Sequence, residues 1–134
     1  MINMLYDLVM KLIQEHRLFA SDLKSIEDSI NTSNINHIAS LLNEFRSKLS
    51  NHIIDEESVL FPEIVNKNLV DQGFLSHIMQ QHLDILEHLD KLELVLNSND
   101  QKSFKEIIAD LKIILEEHHK LEETKVFPNV DPSL

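Results

Sequence analysis

The 134-residue chain has no cysteine and no tryptophan, one glycine, three prolines and one tyrosine. Without cysteine there is no disulfide, no thiolate-bound zinc, no iron–sulfur cluster and no thiol nucleophile, so any metal must be held by histidine and carboxylate. So little glycine and proline leaves the chain without the turn residues that a many-stranded sandwich or barrel needs, which excludes most all-β folds. Positive charge is scarce too: 12 Lys and Arg stand against 23 Asp and Glu, a formal charge of −11. That sign is wrong for neutralising phosphates, and nucleic acid is not an expected partner. The stretch MINMLYDLVMKLIQEH meets Asp7 and Lys11 before a long apolar run develops. Neither a signal peptide nor a membrane span is expected, and the expected compartment is the cytoplasm. The length fits one domain over residues 1–134.

What the chain does have is helical periodicity. Polar clusters at residues 31–34, 62–73 and 97–100 divide it into four segments. Leu5, Leu8, Val9, Leu12, Phe19, Leu23 and Ile26 recur at three- and four-residue spacing in the first. The second opens behind Asn34, a residue suited to an N-cap, and runs through Ile38, Leu42, Phe45, Leu49 and Ile53 to Leu60, where Pro62 stops or kinks it. The third carries Leu75, Ile78, Met79, Ile85, Leu86, Leu89, Leu92 and Leu96; the fourth carries Phe104, Ile107, Ile108, Leu111, Ile114, Leu115 and Val126 and ends near Pro128. The pattern predicts an all-α, antiparallel up-down-up-down four-helix bundle.

Six ionisable residues interrupt the apolar rows. His16 falls between Leu12 and Phe19, and His82 among Ile78, Met79, Ile85 and Leu86; His52 and Glu56 continue the row of Phe45 and Leu49, and His118 and Glu122 that of Leu111 and Leu115. An uncompensated buried carboxylate costs several kcal/mol, and these rows hold no Arg or Lys to supply a counter-charge. A bound cation resolves this.

An internal repeat ties the six together. The pairs His16/His82, His52/His118, Glu56/Glu122, Glu57/Glu123, Phe61/Phe127 and Pro62/Pro128 share one offset of 66 positions (82 − 16, 118 − 52, 122 − 56, 128 − 62). Each half thus supplies a lone His and then His-x-x-x-Glu followed by Phe-Pro: HIIDEESVLFP and HHKLEETKVFP. Counting about 1.5 Å per residue from each turn puts the four His at nearly one level, and residues four apart lie about 40° around a helix, so His-x-x-x-Glu can present both side chains to one site.

These residues resemble the haemerythrin-like HHE cation-binding domain, and the resemblance covers nearly the whole chain. It implies a non-haem di-iron centre inside a four-helix bundle, with His16, His52, His82 and His118 as terminal ligands and Glu56 and Glu122 as bridges. Two departures mark this chain. Oxygen-carrying haemerythrins have a further His one turn before the position of His82, where Ile78 stands, and an Asp five residues after the last His, where Glu123 stands. The match is therefore closer to the four-His, two-Glu branch that includes iron-centre repair proteins, although the cysteine-containing segment of those proteins has no counterpart in this sequence. With two His and both carboxylates on each iron, four of six octahedral positions come from protein, an oxo or hydroxo bridge takes a fifth, and one exchangeable position remains on each.

The resemblance implies binding of a small diatomic ligand, nitric oxide or dioxygen, for sensing, scavenging or stress response. The alternative is an enzyme or iron donor acting in nitric oxide or peroxide reduction or in iron-centre repair; a zinc-stabilised bundle without redox chemistry is a third reading. A ferritin-like set fails on count, since Glu116-x-x-His119 is its only match. Glu57 and Glu123, about 100° from the bridges, are expected to be solvated or to accept hydrogen bonds from the ligands. His37 is about 22 Å along the helix from His52, His77 groups with Gln81, Asp84, His88 and Lys91 on a polar face, and His119 lies about 100° from His118 with Ile53 at its repeat position, so none of these is expected to ligate.

Overall fold

The computed structural model of the protein describes residues 2–32 and 34–134, so Ser33 of the first expected turn lies outside the described residues. Four long helices carry the chain: α1 (Ile2–Ser29), α2 (Ile35–Asp55), α4 (Gln72–Asn97) and α5 (Gln101–Lys125). Between α2 and α4, a π-helical turn over Glu56–Leu60 leads into the short α3 (Phe61–Asn66).

Local chemistry sets the ends. The Asn34 side chain accepts from the His37 N–H at 2.8 Å and Asp100 accepts from the Ser103 N–H at 3.1 Å, each satisfying an otherwise orphaned donor of a first turn. Asn34 and Asp100 are themselves 66 apart (100 − 34), so the repeat extends to the caps. Asp71 caps α4 in the same way, on the Phe74 N–H. At their far ends α3 and α4 close through Asn68 and Asn99 in the left-handed region, φ 55° and 59°, with Leu69 N–H on Ile64 O and Asp100 N–H on Val95 O. Glycine usually fills that position; asparagine tolerates it, which is how a chain with one glycine makes these turns.

Pro62 does not stop the second helix. The chain stays helical to Asn66 because Pro62 falls in the first turn of α3, where a missing N–H is tolerated.

The long helices form a ring in which α1 packs on α2 and α5, and α4 packs on α5 and α2. Two apolar clusters fill it. One contains Phe19, Leu23, Phe45, Leu49, Ile85, Leu89, Phe104 and Leu115; the other contains Val9, Leu12, Leu60, Phe61, Ile78, Val126 and Phe127. Along α1 the order is Leu12, His16, Phe19, and along α4 it is Ile78, His82, Ile85, so the histidines form a polar layer held between two apolar ones. No helix among the described residues is long and apolar enough to cross a membrane.

Candidate metal centre

Each expected ligand is buried: His16, His52, His82 and His118 are at most 4% exposed, and Glu56 and Glu122 are fully enclosed. The six side chains meet. His52 Nε2 lies 3.4 Å and His82 Nε2 3.0 Å from Glu56 Oε1, while His16 Nε2 lies 3.3 Å and His118 Nε2 3.2 Å from Glu122 Oε1. Each carboxylate therefore sits between one His of each half. Two donors placed side by side on one octahedral ion at about 2.1 Å are roughly 3 Å apart, close to these separations. Despite that proximity, His16, His52 and His82 Nε2 and all four oxygens of Glu56 and Glu122 are buried with no hydrogen-bond partner. Atoms that approach without aligning are aimed at a common third point rather than at one another, and buried polar groups left so are costly unless something binds them. Two four-residue donor groups result: His16, His52, Glu56 and Glu122; and His82, His118, Glu56 and Glu122.

The outward nitrogens are all engaged. His16 Nδ1 pairs with Glu123 at 2.9 Å, His82 Nδ1 with Glu57 at 2.6 Å, His52 Nδ1 with Glu15 at 2.9 Å, and His118 Nδ1 with Gln81 at 2.7 Å. An acceptor on Nδ1 fixes the proton there and leaves Nε2 as the inward lone pair, the tautomer a metal needs. The contacts obey the repeat, since Glu57 and Glu123, His82 and His16, and Glu15 and Gln81 are each 66 apart. The symmetry breaks in chemistry at the last pair, where a carboxylate faces His52 and an amide faces His118. The Phe-Pro motif has a role in the same scheme: Phe61 stacks on His82 and Phe127 on His16, with ring centroids 6.2 and 5.7 Å apart. Each half thus steadies the lone histidine of the other.

The cluster's charge is finely divided. Burial, with the Glu122 charge beside it, pushes the Glu56 carboxyl well above the usual range. Burial opposes ionisation of Glu122 as well, but its contacts with Glu56, His118 and His16 hold it well below that range. His16 is raised to about 9 by Glu122 and Glu123 in spite of burial, whereas burial and the neighbouring His16 charge lower His52 to about 4. A proton on His16 and one on Glu56 occupy the charge balance that a cation would otherwise supply.

His119, not expected to ligate, is nevertheless part of the buried layer: it is 7% exposed and lies parallel to the His16 ring, with centroids 3.6 Å apart. It forms a third donor group with His16 and His52. The physical reason is that α5 packs on both α1 and α4, so a wider arc of it is covered than one apolar row implies. The signal was available, because His119 is one turn beyond Leu115 and its repeat position is Ile53, itself buried at 8%. His37 and His77 are exposed and His88 is half-buried with Nδ1 on the Asp84 carbonyl, and none of them belongs to a donor group.

No match appears among curated proteins or among solved structures. The family model described as Hemerythrin HHE cation binding domain matches residues 7–130, a span that contains all six converging side chains. The chain belongs to the haemerythrin HHE cation-binding domain family.

Proposed function

We propose that the protein holds two iron ions in its bundle core and uses them to bind small diatomic ligands, nitric oxide or dioxygen, in sensing, scavenging or stress response. The observation that carries the reading is that two donor groups share both Glu56 and Glu122. A single structural ion needs only one such group; a shared carboxylate pair suits two ions side by side. His16 and His52 hold one ion, His82 and His118 the other, and each carboxylate reaches both. Nitrogen and oxygen donors together suit iron, manganese or zinc, and family membership favours iron. Bound iron supplies exchangeable coordination positions and a one-electron couple at each ion.

The chain's own part is to hold and shield. Glu15, Glu57, Gln81 and Glu123 keep each Nδ1 protonated and each Nε2 available. The apolar clusters close the layer along the bundle axis at both of its ends. Ile78, wholly buried among Leu12, Leu60, Phe61 and Phe127, occupies the position from which oxygen carriers extend a further His, so α4 offers one imidazole where they offer two. A less closed pair of ions favours ligand chemistry over long oxygen storage.

The test uses iron-loaded protein reduced with dithionite. Nitric oxide should give an adduct visible by electron paramagnetic resonance, and air should oxidise the protein within minutes. Repeated uptake and release of dioxygen without oxidation would instead make it an oxygen carrier, and sustained consumption of nitric oxide with an electron donor would make it an enzyme.

A further inference from the structure

A cavity of about 640 Å³ opens between α1 and α5 and reaches the histidine layer on one side only. His16, His119 and Glu123 form its inner wall, and neither His82 nor His118 lines it. Repeat symmetry does not explain this, because the position equivalent to His119 is the apolar Ile53. His119 differs from the four expected ligands in the company it keeps. Its buried Nε2 has no hydrogen-bond partner, yet it groups with His16 and His52 and not with the carboxylates they share, so it stands at the open side of that donor set rather than within it. An imidazole carries at least one N–H in either charge state, so the ring can donate to a bound group. Beyond that wall the lining carries Arg17, Lys112 and Lys120 against Glu116, so cationic side chains flank the opening on a chain of net charge −11. Glu123 is already engaged by His16, and Lys112 by Glu27 at 3.2 Å.

We propose that this cavity admits a small anion to the His16–His52 metal position and that His119 is the positioning residue there, donating a hydrogen bond from Nε2 to the bound anion without ligating the metal. This rests on the di-iron reading above. It makes the two positions unequal: exchange with the outside takes place on the α1–α5 side, where the incoming group meets the buried Nε2 of His119, a setting in which a hydrogen bond to a charged acceptor is strong.

The test uses azide as the probe, titrated into diferric protein and followed by its charge-transfer absorption, with iron per chain measured on the same samples. Loss of a buried hydrogen bond to an anion weakens binding by about tenfold or more. His119→Leu should therefore keep two irons and weaken azide about tenfold, and His119→Gln, whose amide nitrogen can reach the same place, should restore most of the affinity. Ala20→Phe, at an exposed position in the cavity lining, should slow azide association while leaving iron content unchanged. Unchanged azide affinity in iron-replete His119→Leu, or unchanged association in Ala20→Phe, would overturn the assignment. So would loss of one iron in His119→Leu, which would make His119 a ligand. Wild-type protein that fails to hold two irons would refute the metal-centre reading itself, an outcome separable from all of these.

Discussion

Glu56 and Glu122 are the residues on which the centre turns, because both are enclosed and, among the described residues, their ion-pair partners are histidines and not Lys or Arg. Removing one partner from a buried charged set leaves the rest uncompensated, at a cost of roughly 3–5 kcal/mol. His52→Ala and Glu122→Ala should accordingly lose iron and melt at lower temperature, while His37→Ala, His77→Ala and His88→Ala keep their iron; a His77→Ala protein without iron would contradict the helical register of α4. The pH dependence has a definite sign. His16, raised to about 9, binds its proton below that pH and releases it above, and a ligand must be deprotonated to bind metal. Apparent iron affinity should thus climb with pH up to about 9 and then level off, with protons released on loading at neutral pH, as calorimetry in buffers of different ionisation enthalpy would detect. Affinity independent of pH over that interval would count against the assignment of His16. The six converging residues were legible in the sequence because polar side chains stood in apolar rows and recurred at one offset. The burial of His119 was less legible, since its repeat partner is Ile53 rather than a histidine and only the apolar character of that partner marks the position as covered.

Among the elements, the two halves support each other crosswise. The turn after Glu56 and that after Glu122 each carry both an acceptor and an aromatic ring to the lone histidine of the opposite half, Glu57 and Phe61 to His82 and Glu123 and Phe127 to His16. Partners of this kind typically govern metal affinity by 10–100-fold. Glu57→Gln and Glu123→Gln should weaken iron binding by about that factor without unfolding the protein, whereas Phe61→Ala, which empties a buried ring site, should cost roughly 3–5 kcal/mol of stability. Competition with a chelator and thermal melting separate the two effects, and equal losses from both substitutions would mean that Glu57 acts only through packing. Helical periodicity revealed the helices but not these contacts. Glu15 and Gln81 directly precede His16 and His82, yet each reaches to a histidine on the neighbouring helix, a relation set by interhelical packing that spacing along one helix does not encode. The π-helical turn at Glu56 was hidden for a similar reason: Pro62 reads as a stop, and only the wider turn ahead of α3 lets the helix continue past it.

At the scale of the whole molecule, a ring of four long helices encloses one polar layer between two apolar clusters. The bundle was legible because each segment had one dominant apolar stripe and the second a recognisable cap at Asn34, and the layer because its level could be counted from the turns. A metal that binds the folded chain stabilises it in proportion to its affinity and concentration, so chelation should lower the melting temperature as well as bleach the iron absorption. The central claim is that Glu56 and Glu122 serve two ions together, and metal content tests it most directly. Elemental analysis of the protein as purified, repeated after anaerobic loading with ferrous iron and removal of unbound metal, should give about two irons per chain. One metal per chain, or zinc alone with no iron taken up on loading, would contradict it.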